Sequence, residues 1–177
     1  LFSIIPSDGT SDFNVVRNSV ATRVSSTGII EEVSNNVPRI DYTSGVPALL
    51  VEPQSTNLIA WSEVIGNNAK SGVISFSHNS SIGPDNDLNA AIVNVTGAND
   101  RIQPRFNAIG GIVTISVFVK HEGTDFVTKL NTFNTGDGSL YGAEVSVTSS
   151  GVTFANYQSG FSNAGFTDYG NGWFRVF

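Results

Sequence analysis

The chain has 177 residues and a formal net charge of −6 at pH 7; 40% of its residues are hydrophobic and only 14% are charged. Its nine Lys and Arg residues form no basic cluster, so the sequence does not predict nucleic-acid binding. The absence of Cys excludes disulfides, thiolate zinc sites and a cysteine nucleophile. No run of about 18 apolar residues occurs, so no insertion into a membrane is expected.

The composition favours strands over helices. Gly, Ser, Thr and Asn take the place of the missing charged residues, which is typical of a chain rich in turns and short strands. No run of about 12 or more residues shows a helical period of apolar residues. The sequence therefore predicts an all-β protein.

Residues 1–55 predict an extended N-terminal arm with short strands. Proline and turn signals separate short apolar runs at residues 13–16, 28–33 and 48–51. Runs of this length suit only short strands or hairpins. We therefore expect the arm to pack on the following domain or on a neighbouring subunit instead of forming its own core.

Residues 56–177 predict an antiparallel β-sandwich of the jelly-roll type. Alternation of apolar and polar residues recurs through this region, and turn signals return about every 8–12 residues. Roughly seven or eight short strands are expected on this pattern. They fall within residues 72–78, 88–97, 101–106, 110–123, 124–133, 140–148, 151–157 and 171–177.

Local signals predict some of the strand pairing. Alternation across residues 113–119 indicates a half-buried strand, and the short connection HEGTD predicts a hairpin with the strand at 124–133. Pro104 predicts an edge or a bulge. The last residues, NGWFRVF, predict a turn that leads into a strand, with Trp173 in the core.

Both ends of the sequence suggest a piece of a longer protein. The chain begins with Leu1 instead of Met, without the pattern of an intact signal peptide, and it stops within a predicted strand. We therefore expect further residues on both sides.

The sequence offers few candidate residues for a metal site or a catalytic triad. His78 and His121 are the two histidines, whereas a zinc site usually needs three or four ligands. Asp125 follows His121 closely, but no GxSxG turn accompanies them. Asp85 and Asp87 are weak candidates for calcium ligands; turn formation by these Asp residues is the favoured explanation.

The sequence does not predict an enzyme or a cofactor. Paired carboxylates of a glycoside hydrolase are recognised by their separation in space, and nothing in the sequence marks any of the glutamates as buried or perturbed. The candidates are scattered along the chain: Glu52, Glu63, Glu122 and Glu144.

Aromatic side chains are the candidates for ligand binding. A β-sandwich can hold carbohydrate on flat aromatic faces beside a few amides and carboxylates. Weak candidates for such glycan contacts are Trp61, Tyr141, Tyr157 and Tyr169. Whether they are exposed decides between this role and a place in the core.

One long stretch resembles a segment common in phage tail, fibre and head-spike proteins. It includes VPRIDYTSGVPALLVEPQSTNLIAWSE, residues 37–63, and it is preceded by Phe13, Arg17, the ATR of residues 21–23 and the GIIE of residues 28–31. Such proteins often continue into a jelly-roll domain similar to carbohydrate-binding modules. A Gly-Trp-Tyr-Arg signature late in that domain is similar to GWFR at residues 172–175. Ser55 and Phe174 depart from the usual arginine and tyrosine.

The resemblance implies a non-enzymatic virion component: a fibre, a spike or a tail appendage. It implies a homotrimer that contacts other virion proteins and binds host-surface glycan. NGWFRVF would then be a penultimate strand. Arginine–carboxylate pairs within the arm would be structural, and the candidates are Arg17, Arg23, Arg39, Asp41 and Glu52.

Two other interpretations stay open. The chain is either a purely structural decoration or adaptor protein, or an accessory carbohydrate-binding module of a secreted polysaccharide-degrading enzyme. The first predicts large apolar contacts between subunits and no ligand pocket. The second predicts a catalytic domain elsewhere in a longer chain.

Overall fold

The computed structural model describes residues 15–52, 56–59, 62, 64–72, 74–97, 100–104, 113–133, 138, 140–157 and 163–177. The predicted all-β class is confirmed, since the described residues form antiparallel strands and contain no α-helix, only a short 3-10 turn at Ile65–Asn67. The chain divides into two compact units, Leu1–Ile109 and Gly110–Phe177.

The first unit contains eight of the described strands. They are β1 (Ala21–Val24), β2 (Ile30–Val33), β3 (Ile40–Asp41), β4 (Ala48–Leu49), β5 (Ala69–Ser71), β6 (Ile74–Ser81), β7 (Ala90–Val95) and β8 (Arg101–Gln103). They form four two-stranded antiparallel sheets, which pair β1 with β2, β3 with β4, β5 with β8 and β6 with β7.

The β1–β2 hairpin shows how the arm sequence folds locally. Gly28 has a φ of +81°, a conformation that glycine adopts without a steric penalty, and its N–H donates to the Ser25 carbonyl oxygen. The Ser25 N–H in turn donates to the Ile29 carbonyl oxygen at 2.8 Å. The pair Arg23 and Glu31 then lie opposite each other in register.

The second unit contains six described strands in two sheets. The strands are β9 (Val117–Lys120), β10 (Phe126–Phe133), β11 (Leu140–Thr148), β12 (Gly151–Ala155), β13 (Phe166–Asp168) and β14 (Trp173–Val176). One sheet has the order β10-β11-β12 and the other β13-β14-β9, and every pair is antiparallel.

The two sheets of the second unit share one apolar core. The fully buried members Val145 and Val147 come from β11, and Val176 comes from β14. Val152 and Phe174 complete the buried cluster. Burial of each such side chain stabilises the fold by about 1.5–3 kcal/mol. The alternation of residues along β11 and β14 therefore decides which face of each sheet points inward.

The hairpin predicted across HEGTD is wrong. β9 pairs with β14, and β10 pairs with β11, so residues 121–125 connect two sheets. A five-residue link with a glycine can join two strands of one sheet or two strands of different sheets. The partner of β9 is β14, which lies far along the chain and buries its apolar residues in the same core. The predicted strand at 110–123 is also shorter than expected, since β9 begins at Val117.

Two other pairs join strands that are neighbours in the sequence. β6 pairs with β7, and β11 pairs with β12. β8 ends at Gln103, immediately before Pro104. Trp173 is buried at 9% exposure, but it alternates with Phe174 and therefore lies on the sheet face opposite the apolar core. The jelly-roll order and the boundary at residue 55 stay predictions.

Candidate functional site

The arm is held together at the junction of β1 and β3. The Val24 N–H donates to Asp41 Oδ2 at 2.8 Å, and the Tyr42 N–H donates to the Val24 carbonyl oxygen at 3.0 Å. Asp41 Oδ1 also accepts the Thr43 N–H at 2.9 Å. One residue of β1 is thus bound from both sides by the end of β3, which fixes the two hairpins of the arm against each other.

These contacts shift the acidity of Asp41. Partial burial by itself raises the pKa of the carboxyl, but the hydrogen bonds from Thr43 and Val24 and the charge of Arg39 together bring the pKa below its ordinary value. The ionised form is therefore the one that the arm stabilises.

Arg17 binds the backbone. Its Nε donates to the Ser19 carbonyl oxygen at 2.8 Å, and its terminal nitrogen donates to the Val33 carbonyl oxygen at 2.9 Å and to that of Ser34. The Arg17 N–H donates to Asn36 Oδ1 at 2.9 Å. This arginine therefore ties the segment before β1 to the end of β2 by hydrogen bonds to carbonyls.

The other two arginines of the arm meet carboxylates. Arg23 donates to Glu31 Oε1 at 2.6 Å across the β1–β2 hairpin. Arg39 donates to Glu52 Oε2 at 2.8 Å and to the Thr22 carbonyl oxygen at 3.3 Å. The structure thus places Arg23 and Arg39 in two separate ion pairs.

A concave pocket of about 450 Å³ lies beside the β1–β2 turn. Four of its residues, Arg23, Ser25, Ile29 and Glu31, alternate along the hairpin and so share one face. Ile40 and Tyr42 alternate in the same way at β3. Among the described residues, the lining consists of Arg23, Ser25, Ser26, Thr27, Ile29, Glu31, Ile40 and Tyr42.

The pocket combines several chemical groups within a small volume. Among the described residues of its lining, the charged side chains are one arginine and one glutamate, and these are paired with each other. The Ser25 and Thr27 hydroxyls bond each other at 2.9 Å. Ile40 is buried, while Tyr42 is partly exposed. Such a surface can exchange hydrogen bonds with a neutral polar molecule and contact its apolar face.

The aromatic candidates are distributed over the second unit. Tyr157 follows β12 and is 55% exposed. Tyr141 lies on β11 with the parity of the buried valines and is half-buried. Tyr169 packs edge-on against Phe118, with ring centroids 5.3 Å apart. Trp61 lies outside the described residues.

One sheet face gathers aromatic and cationic groups. Phe118, Lys120, Trp173 and Arg175 alternate with the core residues of β9 and β14, so they share the face opposite the apolar core. The Lys120 Nζ lies 5.9 Å from the centre of the Trp173 ring, a cation–π distance. Trp173 itself is largely covered, whereas Phe118 is 36% exposed.

A polar cluster lies on the β10-β11-β12 sheet. Lys129 Nζ contacts Glu144 Oε1 at 3.3 Å, and the Asn156 amide donates to Glu144 Oε2. The hydrogen bond from Asn156, followed by that from Lys129, lowers the pKa of Glu144. The concavity between these residues is only about 60 Å³, which is too small for a ligand larger than water molecules.

The predicted metal candidates act within turns. Asp85 Oδ2 accepts the Asn89 amide at 2.6 Å, and Asp85 Oδ1 accepts the Asp87 N–H at 3.2 Å. His121 Nε2 lies 2.9 Å from Asp125 Oδ1, and His78 stacks on Phe76. In the part of the chain that is described, no three His, Cys, Asp or Glu residues group as metal ligands.

The pocket is the feature that sequence analysis missed. Its alternation is visible in the sequence, at residues 23, 25, 29 and 31 on either side of the Gly28 turn. The approach of β3 is not visible there, because it depends on the contact of Asp41 with Val24 across 17 positions of the chain.

No helix among the described residues is long and apolar enough to cross a membrane.

Comparisons with known proteins leave the geometry as the main guide. No protein-family model, no curated protein and no solved structure matches this chain.

Proposed function

We propose that this chain is a non-enzymatic structural module of a phage virion, part of a fibre, a spike or a tail appendage, that binds glycan on the host surface. The proposal starts from the resemblance carried by residues 13–63. It gives the arm a mechanical role and assigns ligand binding to exposed polar and aromatic groups.

The main support for the proposal is that the charged residues of that segment bind other parts of the arm. Arg17 and Asp41 bind backbone groups at the ends of strands, and Arg39 binds both Glu52 and a backbone carbonyl. Each therefore holds one part of the arm against another. Residues that act in this way favour a rigid platform for attachment or display, with a structural role for the signature.

The carboxylates also fit a non-catalytic role. Glu52, Glu122 and Glu144 each pair with a different cation, namely Arg39, Lys120 and Lys129. Each pair is at the surface and belongs to a separate strand or loop. Glu63 lies outside the described residues. Each of these three carboxylates therefore has a structural role in its own ion pair.

The arm also offers surface for a neighbouring subunit. Val46 is 62% exposed, Leu49 37% and Val51 80%, all within six consecutive positions. Apolar side chains that are exposed so close together suit contact with another chain. The resemblance implies a trimer, and these side chains are where we place its arm contacts.

The test is to locate the protein in particles. An antiserum raised against the purified chain should label intact virions in immunogold electron microscopy, and intact-mass analysis of those virions should detect a chain that contains this sequence. Detection of the sequence in a secreted chain with a polysaccharide-degrading domain would contradict the proposal and support the accessory-module alternative.

A further inference from the structure

We infer that the pocket between the β1–β2 turn and β3 is a binding site for a neutral, hydroxyl-rich ligand, one sugar residue of a glycan. This inference rests on the proposed function and assigns its ligand to a particular site. The site lies in the arm, and its described lining includes none of the aromatic residues that the sequence singles out.

The size of the pocket fits this class of ligand. Its volume of about 450 Å³ lies within the roughly 300–1,000 Å³ of small-molecule sites. The opening lies beside Ser26 and Thr27, which are exposed, whereas Ile40 at the inner side is buried. A ring of sugar size can therefore enter from the turn and reach an apolar wall.

The charges of the pocket select against ions. A terminal nitrogen of the Arg23 guanidinium lies 2.6 Å from Glu31 Oε1, so the two charges largely cancel within the site. An anionic ligand would have to compete with Glu31 for the guanidinium, and a cationic ligand would have to compete with Arg23 for the carboxylate. A neutral ligand meets neither cost, since it can bind beside the pair without breaking it.

The pair instead suits neighbouring hydroxyl groups. A guanidinium only donates hydrogen bonds and a carboxylate only accepts them, whereas each sugar hydroxyl does both. Two adjacent hydroxyls can thus bridge Arg23 and Glu31 in one orientation. The hydroxyls of Ser25 and Thr27 add a second polar edge, and the Tyr42 ring adds an apolar face.

The site is prepared before a ligand arrives. The Arg23 and Glu31 side chains hold each other across the hairpin, and the backbone at Tyr42 is held by the bond from its N–H to the Val24 carbonyl oxygen. A prepared site avoids the cost of ordering side chains on binding. For one sugar residue we still expect a weak interaction, with a Kd of about 1 mM.

The test is an NMR titration of the full chain with methyl glycosides of glucose, mannose and galactose and with N-acetylglucosamine, to about 20 mM. Glucuronate serves as the charged comparison. We expect at least one neutral probe to shift the amide signals of residues 23–31 and 40–42. Binding should weaken about tenfold or more in Glu31→Gln, because a charged acceptor is lost.

Matched variants separate the pocket from the rest of the surface. Ser26→Trp should close the opening and abolish binding, whereas Ser44→Trp, in an exposed turn outside the lining, should not. Glu32→Gln is the control for Glu31→Gln, since Glu32 neighbours it on the other face of β2. Unchanged amide spectra away from the pocket would show that each variant is folded.

Each other outcome overturns a defined part of the inference. Binding that persists in both Glu31→Gln and Ser26→Trp would place the glycan site elsewhere and leave the proposed function standing. Binding of glucuronate alone would contradict a neutral ligand. If no probe binds, both the pocket and glycan binding fail, while labelling of virions would still support the structural role.

Discussion

Asp41 joins two strands of the arm through one carboxylate, and its substitution tests that link. Asp41→Asn keeps the shape of the side chain but removes one acceptor, so either the Val24 or the Thr43 N–H loses its partner. We expect a loss of about 1–2 kcal/mol in the free energy of unfolding at pH 7, because the bonds are to a charged, half-buried group. Urea denaturation measures this change.

The same substitution has a defined dependence on pH. Because the folded-state pKa of Asp41 lies below its ordinary value of 3.8, its stabilising effect is complete well above pH 3.8 and is lost as the pH falls through the lower, folded-state pKa. The difference between Asp41→Asn and the natural chain should therefore shrink below about pH 4. Asp87→Asn, in an exposed turn, is the charge-matched control. An equal difference at pH 7 and pH 3 would contradict the role of the ionised carboxylate.

Substitution of Trp173 measures how much this side chain, buried on the sheet face opposite the apolar core, stabilises the fold. Trp173→Ala should lower the free energy of unfolding by about 3–5 kcal/mol, the usual cost of removing a large buried aromatic side chain. The reason is its low exposure of 9% and its contact with Lys120.

Tyr157→Ala is the control for Trp173→Ala, since Tyr157 is 55% exposed. We expect this control to cost less than about 1 kcal/mol. Urea unfolding of both variants, monitored by far-UV circular dichroism, measures the two losses in the free energy of unfolding. A loss below about 1 kcal/mol for Trp173→Ala would show that its ring is accessible and would make it a candidate for ligand contact.

The turn before β14 determines how this strand meets β9. Gly172 has a φ of +79°, and a Cβ there would lie 2.6 Å from the His121 carbonyl oxygen. The His121 N–H also donates to the Gly172 carbonyl oxygen at 2.9 Å. Gly170 has a similar φ of +76° but open space around it. The two glycines therefore separate backbone strain from a steric clash.

Gly172→Ala should destabilise the protein more than Gly170→Ala. Both variants force an L-residue into the left-handed region, at a cost of about 1–2 kcal/mol. Only the first must also push β9 away from β14, so we expect its cost to exceed that of the second by 1 kcal/mol or more, about the value of one lost hydrogen bond. Hydrogen exchange at the His121 amide should accelerate only in Gly172→Ala. Equal effects would show that no close contact exists.

The sequence predicts the positions of strands better than their partners. The predicted runs at 72–78, 88–97, 140–148 and 151–157 contain or overlap β6, β7, β11 and β12, because alternation and turn signals are local. The pairing of β9 with β14 does not follow from any local signal, because Val117 and its register partner Val176 are far apart in the sequence and both pack into the shared core. The short link HEGTD therefore misled the prediction of a hairpin.

The candidate site was hidden for the same reason. Arg23, Glu31 and Tyr42 all belong to the segment that carries the resemblance, yet the sequence suggests ion pairing for Arg23 and assigns no role to Glu31 or Tyr42. Their pocket requires β3 to cross the end of β1, a contact that one carboxylate makes over a long separation. Alternation predicts which side chains share a face, but it does not predict which strand covers them.

The whole molecule raises the question of what covers the apolar residues of the arm. The second unit has its own apolar core, formed by β9–β12 and β14. In the first unit, by contrast, Val46 and Val51 are mostly exposed. Exposed valines occur singly on many monomers. Two of them beside Leu49 in a short segment are better explained by contact with another copy of the chain.

Charged residues at these positions should therefore separate the subunits. We expect native mass spectrometry of the natural chain to give three times its mass of 18.7 kDa, and the double variant Val46→Asp, Val51→Asp to give the single mass. A carboxylate buried in an interface without a partner is costly, whereas in a monomer it remains in water. The variant should keep its β-sheet circular dichroism.

The double variant Val64→Asp, Val127→Asp is the control, because these valines are 41% and 66% exposed but lie outside the arm. It adds the same charge and should remain trimeric. A natural chain that is monomeric at all concentrations would contradict arm-mediated assembly. So would a trimer that survives both aspartates of the arm, since two unpaired charges would then have to be buried at its interface.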